Sequence, residues 1–112
     1  AIRGLTLLKD KPAVAWGAIK PALGDMDSIV RNQAIIACGF IAKAQAEAVS
    51  ELTGAAEKDR DLDNRITAIQ TLGGLGATAK SAMPVLEKLA MNDFRARIRE
   101  AAKDAARKIK GS

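Results

Sequence analysis

An all-α fold of stacked helical pairs is predicted by three observations. The stretch "DSIVRNQAIIACGFIA" (27–42) returns, altered, as "DLDNRITAIQTLGGLG" (61–76), one step of 34 residues later. Within a copy the apolar residues recur at helical spacing, as Val30, Ala34, Ala37, Cys38 and Ile41 do. Nothing alternates with period two over a useful length, so no strand is predicted.

The repeat sets the organisation. The step of 34 matches Asp27 with Asp61, Arg31 with Arg65, Ala34 with Ala68, Ile35 with Ile69 and Gly39 with Gly73. A further step reaches "RARIREAAKDAARKI" (95–109), where Arg99 and Ala102 take the places of Arg65 and Ala68. A step back of 33 lays Ala1, Leu8, Ile19 and Ala22 on Ala34, Ile41, Leu52 and Ala55. The chain therefore reads as one domain, 1–112, with units near 1–26, 27–60 and 61–92 and a terminal half-unit, 93–112. It opens on "AIRGLTLL", already helical in pattern and without an initiator Met, so it is expected to be part of a longer chain. An uncapped first unit exposing Ile2, Leu5 and Leu8 is a candidate for self-association.

Taken in order, each unit reads as two helices. In the first, Pro12 suits a helix start and Pro21 a kink or an end. Trp16 falls at the core position shared with Val49 and Met83. Asp27 is placed to cap the next helix, where its carboxylate meets unpaired N–H groups and the positive helix end. Ile29, Ile36 and Phe40 lie opposite the Val30–Ile41 stripe, so this helix is expected to be sandwiched on both sides. A second helix near 45–58 turns Ala48, Val49, Leu52, Ala55 and Ala56 inward and Glu47, Ser50, Glu51, Glu57 and Lys58 outward. Asp61 or Asp63 caps the third unit, Gly73, Gly74 and Gly76 mark its turn, and Pro84 fits the first turn of its second helix. That helix, near 81–91, buries Ala82, Val85, Leu86 and Leu89. The final helix buries Ile98, Ala102, Ala105 and Ile109.

The segments "DSIVRNQAIIACG", "DNRITAIQTLGGLG" and "AMPVLEKLAMND" carry a family resemblance. Asp, Val-Arg, Ala three residues on, a small pair ending in Gly and an apolar second helix together resemble the HEAT family. The likeness is greatest to the short HEAT-like repeats of phycobilin lyases. It implies a right-handed α-α superhelix, a HEAT-like solenoid of about three helical pairs plus a terminal helix. It also implies that Arg31, Arg65 and Arg99 form a structural ladder, tying each helix start to a neighbour's carboxylate or carbonyl. By the same resemblance the second helices line the concave side, which makes Glu47, Glu51, Lys58 and Lys88 candidate contacts.

Composition narrows the function. There is no histidine, which removes the commonest general base and zinc ligand. Cys38 is the single cysteine and lies on the core stripe, so it reads as a small buried hydrophobe. "DRDLD" (59–63) lacks the glycine and closing glutamate of a calcium loop and reads as caps and turns. No catalytic residue, cofactor or metal is called for, and the segment by itself is expected not to be an enzyme. No apolar run reaches the roughly 18 residues of a membrane span, and the lone cysteine suits a reducing cytoplasm.

Charge is concentrated at the end. Residues 93–112 hold seven Lys or Arg against three acidic residues, while the rest of the chain is nearly balanced. On a helical wheel Arg95, Arg99, Lys103, Arg107 and Lys110 share a stripe that suits an anion or a partner protein. The same stripe also suits the polar outer face of a terminal cap. Three functions follow. The leading one is a non-catalytic protein-interaction or scaffolding module that meets another protein or a neighbouring domain. "AIRGLTLLKDKPAV" also looks like the repeats ending some bacterial zinc aminopeptidases, which implies the terminal domain of a larger enzyme. Likeness to HEAT-like DNA glycosylases implies nucleic-acid backbone binding through the last helix.

Overall fold

The computed structural model describes residues 11–111. Ile2, Leu5 and Leu8, the candidate self-association surface, lie outside the described residues. The elements are α1 (Pro12–Ala22), α2 (Ser28–Ile41), α3 (Glu47–Lys58), α4 (Leu62–Gly74), a 3-10 turn (Gly76–Ala82), α5 (Met83–Asn92) and α6 (Ala96–Lys110). No strand occurs among the described residues. The dimensions are 39 × 32 × 20 Å; the thin one matches two helix layers of about 10 Å each. The leading helices α2, α4 and α6 pack side by side in one layer. The second helices α1, α3 and α5 form the other layer, and α3 and α5 touch each other little.

Local chemistry fixes the helix ends. Asp27 accepts the Ile29 N–H at 2.8 Å. Asp61, rather than Asp63, caps α4 by accepting the N–H groups of Asp63 at 2.8 Å and Asn64 at 3.4 Å. Pro12 and Pro84 stand in the first turns of α1 and α5, where a missing N–H costs little, and α1 stops one residue after Pro21. The core runs unbroken from Trp16 and Ile19 through Ile35, Leu52, Ile69, Leu72 and Leu86 to Ile98 and Ile109.

Two expectations are corrected. The helix α2 is not sandwiched, because Ile29, Ile36 and Phe40 are 68%, 40% and 63% exposed. These three residues fall within about 40° of one another around the axis. The contacts of α2 with α1, α3 and α4 use the remaining arc, through Ala34, Ile35, Cys38 and Ile41. Nor do the three glycines share one task. Gly76, at φ 57°, makes the turn. Gly73 is buried within α4, and a Cβ there would sit 3.0 Å from the Ala105 Cα of α6. Its match one unit earlier, Gly39, would bring a Cβ within 2.7 Å of Thr71 Cγ2. These glycines let successive leading helices approach.

What joins the units is a set of buried polar ties. The Arg31 guanidinium donates to both carboxylate oxygens of Asp59, at 3.1 and 3.2 Å, and to the carbonyls of Asp25 and Met26, at 3.0 and 3.1 Å. Arg65 repeats this one unit on, donating to Asp93 at 2.9 Å and to the Ala56 carbonyl at 2.9 Å. Arg99 donates to the Asp93 carbonyl at 2.8 Å. Asp25, Asp59 and Asp93 recur every 34 residues. Each also accepts the N–H two residues on, at 2.8, 2.8 and 2.9 Å. Buried Asn64 adds a link between α2 and α4, donating to the Ser28 carbonyl at 2.9 Å and accepting from Asn32 at 2.8 Å. Among the described residues no buried side-chain polar atom lacks a partner.

Burial pushes the Asp59 and Asp93 carboxyls up, but the hydrogen bonds and charges of Arg31, Arg65 and the backbone N–H groups hold both below the ordinary value. A carboxylate with a depressed folded value contributes stability above its unfolded pKa of about 3.9 and loses it as pH falls through the folded value. Urea midpoints measured from pH 7 downward should therefore hold until about pH 4–5 and then fall steeply. Asp59→Asn should be less stable at neutral pH, with the gap to the parent narrowing below pH 4; a constant gap would contradict the tie.

The glycines give a second expected outcome. At Gly54, within α3, an added Cβ would meet nothing within 4 Å. Gly54→Ala should therefore stabilise by about 0.5–1 kcal/mol. Gly73→Leu should destabilise by about 1–3 kcal/mol through overpacking against α6. Urea unfolding followed by helical circular dichroism reads both, and shifts of the same sign would contradict the packing.

Candidate functional site

Helix α6 sets the candidate site. Its apolar residues Ile98, Ala102, Ala105, Ala106 and Ile109 are buried against α4 and α5, which turns Lys103, Arg107 and Lys110 outward. Arg107, Lys108 and Lys110 also sit in its last turn, where cations favour the negative helix end.

The repeat shows what is unusual here. Lys103 occupies the position of Ile35 and Ile69, which are 1% and 0% exposed. Arg107 occupies that of Gly39 and Gly73, the close-approach glycines, and Ala106 that of Cys38 and Leu72. The face that receives the next unit on α2 and α4 thus carries cations on α6. Beside it lies an open groove of about 400 Å³ between α5 and α6, floored by Ala90, Met91 and Ala106 and rimmed by Glu87, Lys103, Arg107 and Lys110. Met91 is 80% exposed. The rim cations are held only loosely within the molecule: Lys110 to Glu87 at 3.7 Å, Lys103 to Glu100 at 3.8 Å and Arg107 to Asp104 at 4.0 Å.

The five cations expected to share a stripe divide into two groups. Lys103, Arg107 and Lys110 converge on the groove. Arg99 is half-buried at the helix start, tied to the Asp93 carbonyl. Arg95 precedes the helix and lays its guanidinium over the Phe94 ring, 4.3 Å from the centroid.

The second-helix candidates divide likewise. Glu47 accepts from Lys20 at 2.6 Å and from the Trp16 indole at 3.2 Å, bonds that hold its carboxyl below the ordinary value. Lys88 pairs with Glu57 at 3.0 Å. Both pairs bridge successive second helices. Glu51 and Lys58 instead border a hollow of about 370 Å³, together with Ser50, Gly54 and Arg60, above the Arg31–Asp59 tie.

Burial pushes the Cys38 thiol up to about 12, which leaves almost no thiolate near neutral pH. In "DRDLD", Asp59 is bound by Arg31, Asp61 caps α4 and Asp63 lies 3.4 Å from Arg97. Among the described residues no group of three or more acidic or cysteine side chains is placed to hold a metal ion. No helix among them is long and apolar enough to cross a membrane.

The Met91 floor and the Glu87 rim were not singled out in the sequence. The available signal was the same step of 34, which sets Met91 on Glu57 and Glu87 on Thr53. An apolar residue there replaces a charged one, and a charged residue replaces a neutral one. In comparison with known proteins, a family model described as HEAT repeats matches residues 16–107. No curated protein and no solved structure matches the chain.

Proposed function

The chain belongs to the HEAT-repeat family, and from that premise we propose that this segment is a non-catalytic protein-interaction module that meets an acidic partner, either another protein or a neighbouring domain, through helix α6. HEAT repeats generally serve as interaction and scaffolding modules. One observation carries the assignment of the surface: Lys103 and Arg107 stand exposed where the interior units carry a buried Ile and a packed Gly. Cations spread along one helix favour encounter with an opposite charge and give salt-sensitive binding. The absence of histidine and the inert Cys38 thiol support the non-catalytic part of the reading.

A protein partner is favoured over a nucleic acid because the α6 surface is not uniformly positive. Glu87, Glu100 and Asp104 interleave with the cations, and the floor between them is apolar. A phosphate backbone calls for a continuous run of positive charge.

Affinity capture on the purified protein from nuclease-treated extract of the source organism tests this reading, alongside a variant carrying Lys103→Glu, Arg107→Glu and Lys110→Glu. The variant should keep its helical spectrum, since surface changes of this kind shift stability by only about 0.5 kcal/mol each. It should lose the proteins that the parent retains. Unchanged capture by the variant, or retention of nucleic acid alone when nuclease is omitted, would overturn the assignment.

A further inference from the structure

The outward positions of the leading helices differ from one unit to the next. On α4 they are Asp63, Gln70 and Gly74, and on α6 Arg97, Asp104 and Lys108, all exposed. Since α4 has α2 on one side and α6 on the other, this face stays open even where leading helices flank it on both sides. On α2 the same positions hold the exposed Ile29, Ile36 and Phe40, a contiguous apolar patch in place of polar residues. Beside the patch a groove of about 260 Å³ runs between α2 and α4, walled by Ile36, Phe40, Thr71 and Leu75 and floored by Gly39 and Gly74. Gly74 keeps it open: one unit later Lys108 takes that place, and its Cδ lies 3.7 Å from where a Gly73 Cβ would sit.

We propose that this face of α2 joins a second copy of the chain across a two-fold axis, with the two α2 helices antiparallel. Ile29 of each copy then meets Phe40 and the groove of the other, and the two Ile36 side chains meet near the axis. The contact is separate from the α6 surface and rests on apolar rather than charged side chains.

The face complements itself in shape. Its knob, Ile29, and its groove, at Phe40, stand at opposite ends of α2, about 16 Å apart. An antiparallel two-fold pairing sets each knob on the other copy's groove, as an isologous contact requires. The face complements itself in charge as well. Arg31 is the one charged residue of α2 and is buried, so no like charges meet along the helix. Asp25 and Asp27 lie exposed before its start and Lys43 lies exposed beyond its end. The antiparallel pairing brings each lysine towards the other copy's carboxylates. The area is sufficient: the three apolar side chains expose roughly 350 Å² and the whole face about 500 Å², so a pair buries about 1,000 Å², where specific, reversible interfaces begin.

Sedimentation velocity of the purified protein, from about 1 µM to about 1 mM, tests the proposal. The protein should pass from monomer to dimer and stop there. Each copy carries a net charge of +5, so dimerisation should hold or strengthen as salt rises, the opposite of the α6 contact. Phe40→Ser should weaken it at least about tenfold with the helical spectrum unchanged, whereas Lys103→Glu with Arg107→Glu should not weaken it. A short bismaleimide should link two copies through Ile36→Cys and not through Lys103→Cys, the buried Cys38 staying out of the reaction. A protein that stays monomeric at the highest concentration, oligomers that grow past the dimer, indifference to Phe40→Ser, or no link through Ile36→Cys would overturn the proposal. So would a dimer that Leu5→Glu abolishes and Phe40→Ser leaves intact.

Discussion

A guanidinium locked inside the stack by a carboxylate 28 residues further along is the contact on which the rest of the structure depends. Arg31 and Arg65 each close the turn ahead of a leading helix and hold the aspartate that opens the following unit. Burying such a pair is costly, and its net contribution to stability is small unless every donor is satisfied. Here Arg31 also donates to the Asp25 and Met26 carbonyls and Arg65 to the Ala56 carbonyl, and no buried side-chain polar atom among the described residues lacks a partner. The planar fork of arginine suits this shared duty, whereas lysine offers a point charge with no such geometry. What the tie adds is register. It permits one angular and axial setting of each unit on the next.

Once that setting is fixed, small residues follow. Leading helices held this close leave no room for side chains at Gly39 and Gly73, and alanines fill the neighbouring positions. The second helices are less constrained, and long side chains such as Lys20, Glu47, Glu57 and Lys88 span the gaps between them. At α6 the chemistry departs from the pattern: Arg99 keeps its carbonyl contact but has no carboxylate partner among the described residues, while Lys103 and Arg107 replace the buried Ile and the packed Gly. The interaction reading follows from this change of chemistry on a repeated geometry.

Much of the architecture was legible in the sequence, because local rules determine it. Asp27 and Asp61 cap where capping rules place them, Pro12 and Pro84 open helices, and the inward stripes of α3, α5 and α6 are buried as the helical period requires, except for the half-buried Ala55 and Val85. The resemblance implied a carboxylate or carbonyl partner for each arginine, but which aspartate supplies it was not read, since no local rule joins residues 28 apart. Its trace was nevertheless present in Asp25, Asp59 and Asp93 at the repeat interval. The wheel that grouped Arg95 and Arg99 with Lys103 measured azimuth and ignored depth along the axis, where the first two meet the ladder and Phe94. The outward Ile29, Ile36 and Phe40 misled for a related reason: hydrophobicity predicts burial only when a neighbour exists to provide it.

The central claim is that these ties couple one unit to the next. A double-mutant cycle on Arg65→Gln and Asp93→Asn, measured by urea unfolding at neutral pH, tests it most directly. The account predicts that the two changes are strongly non-additive, with a coupling energy of at least about 1 kcal/mol, above the range of exposed ion pairs. Additive effects, with a coupling energy near zero, would contradict it.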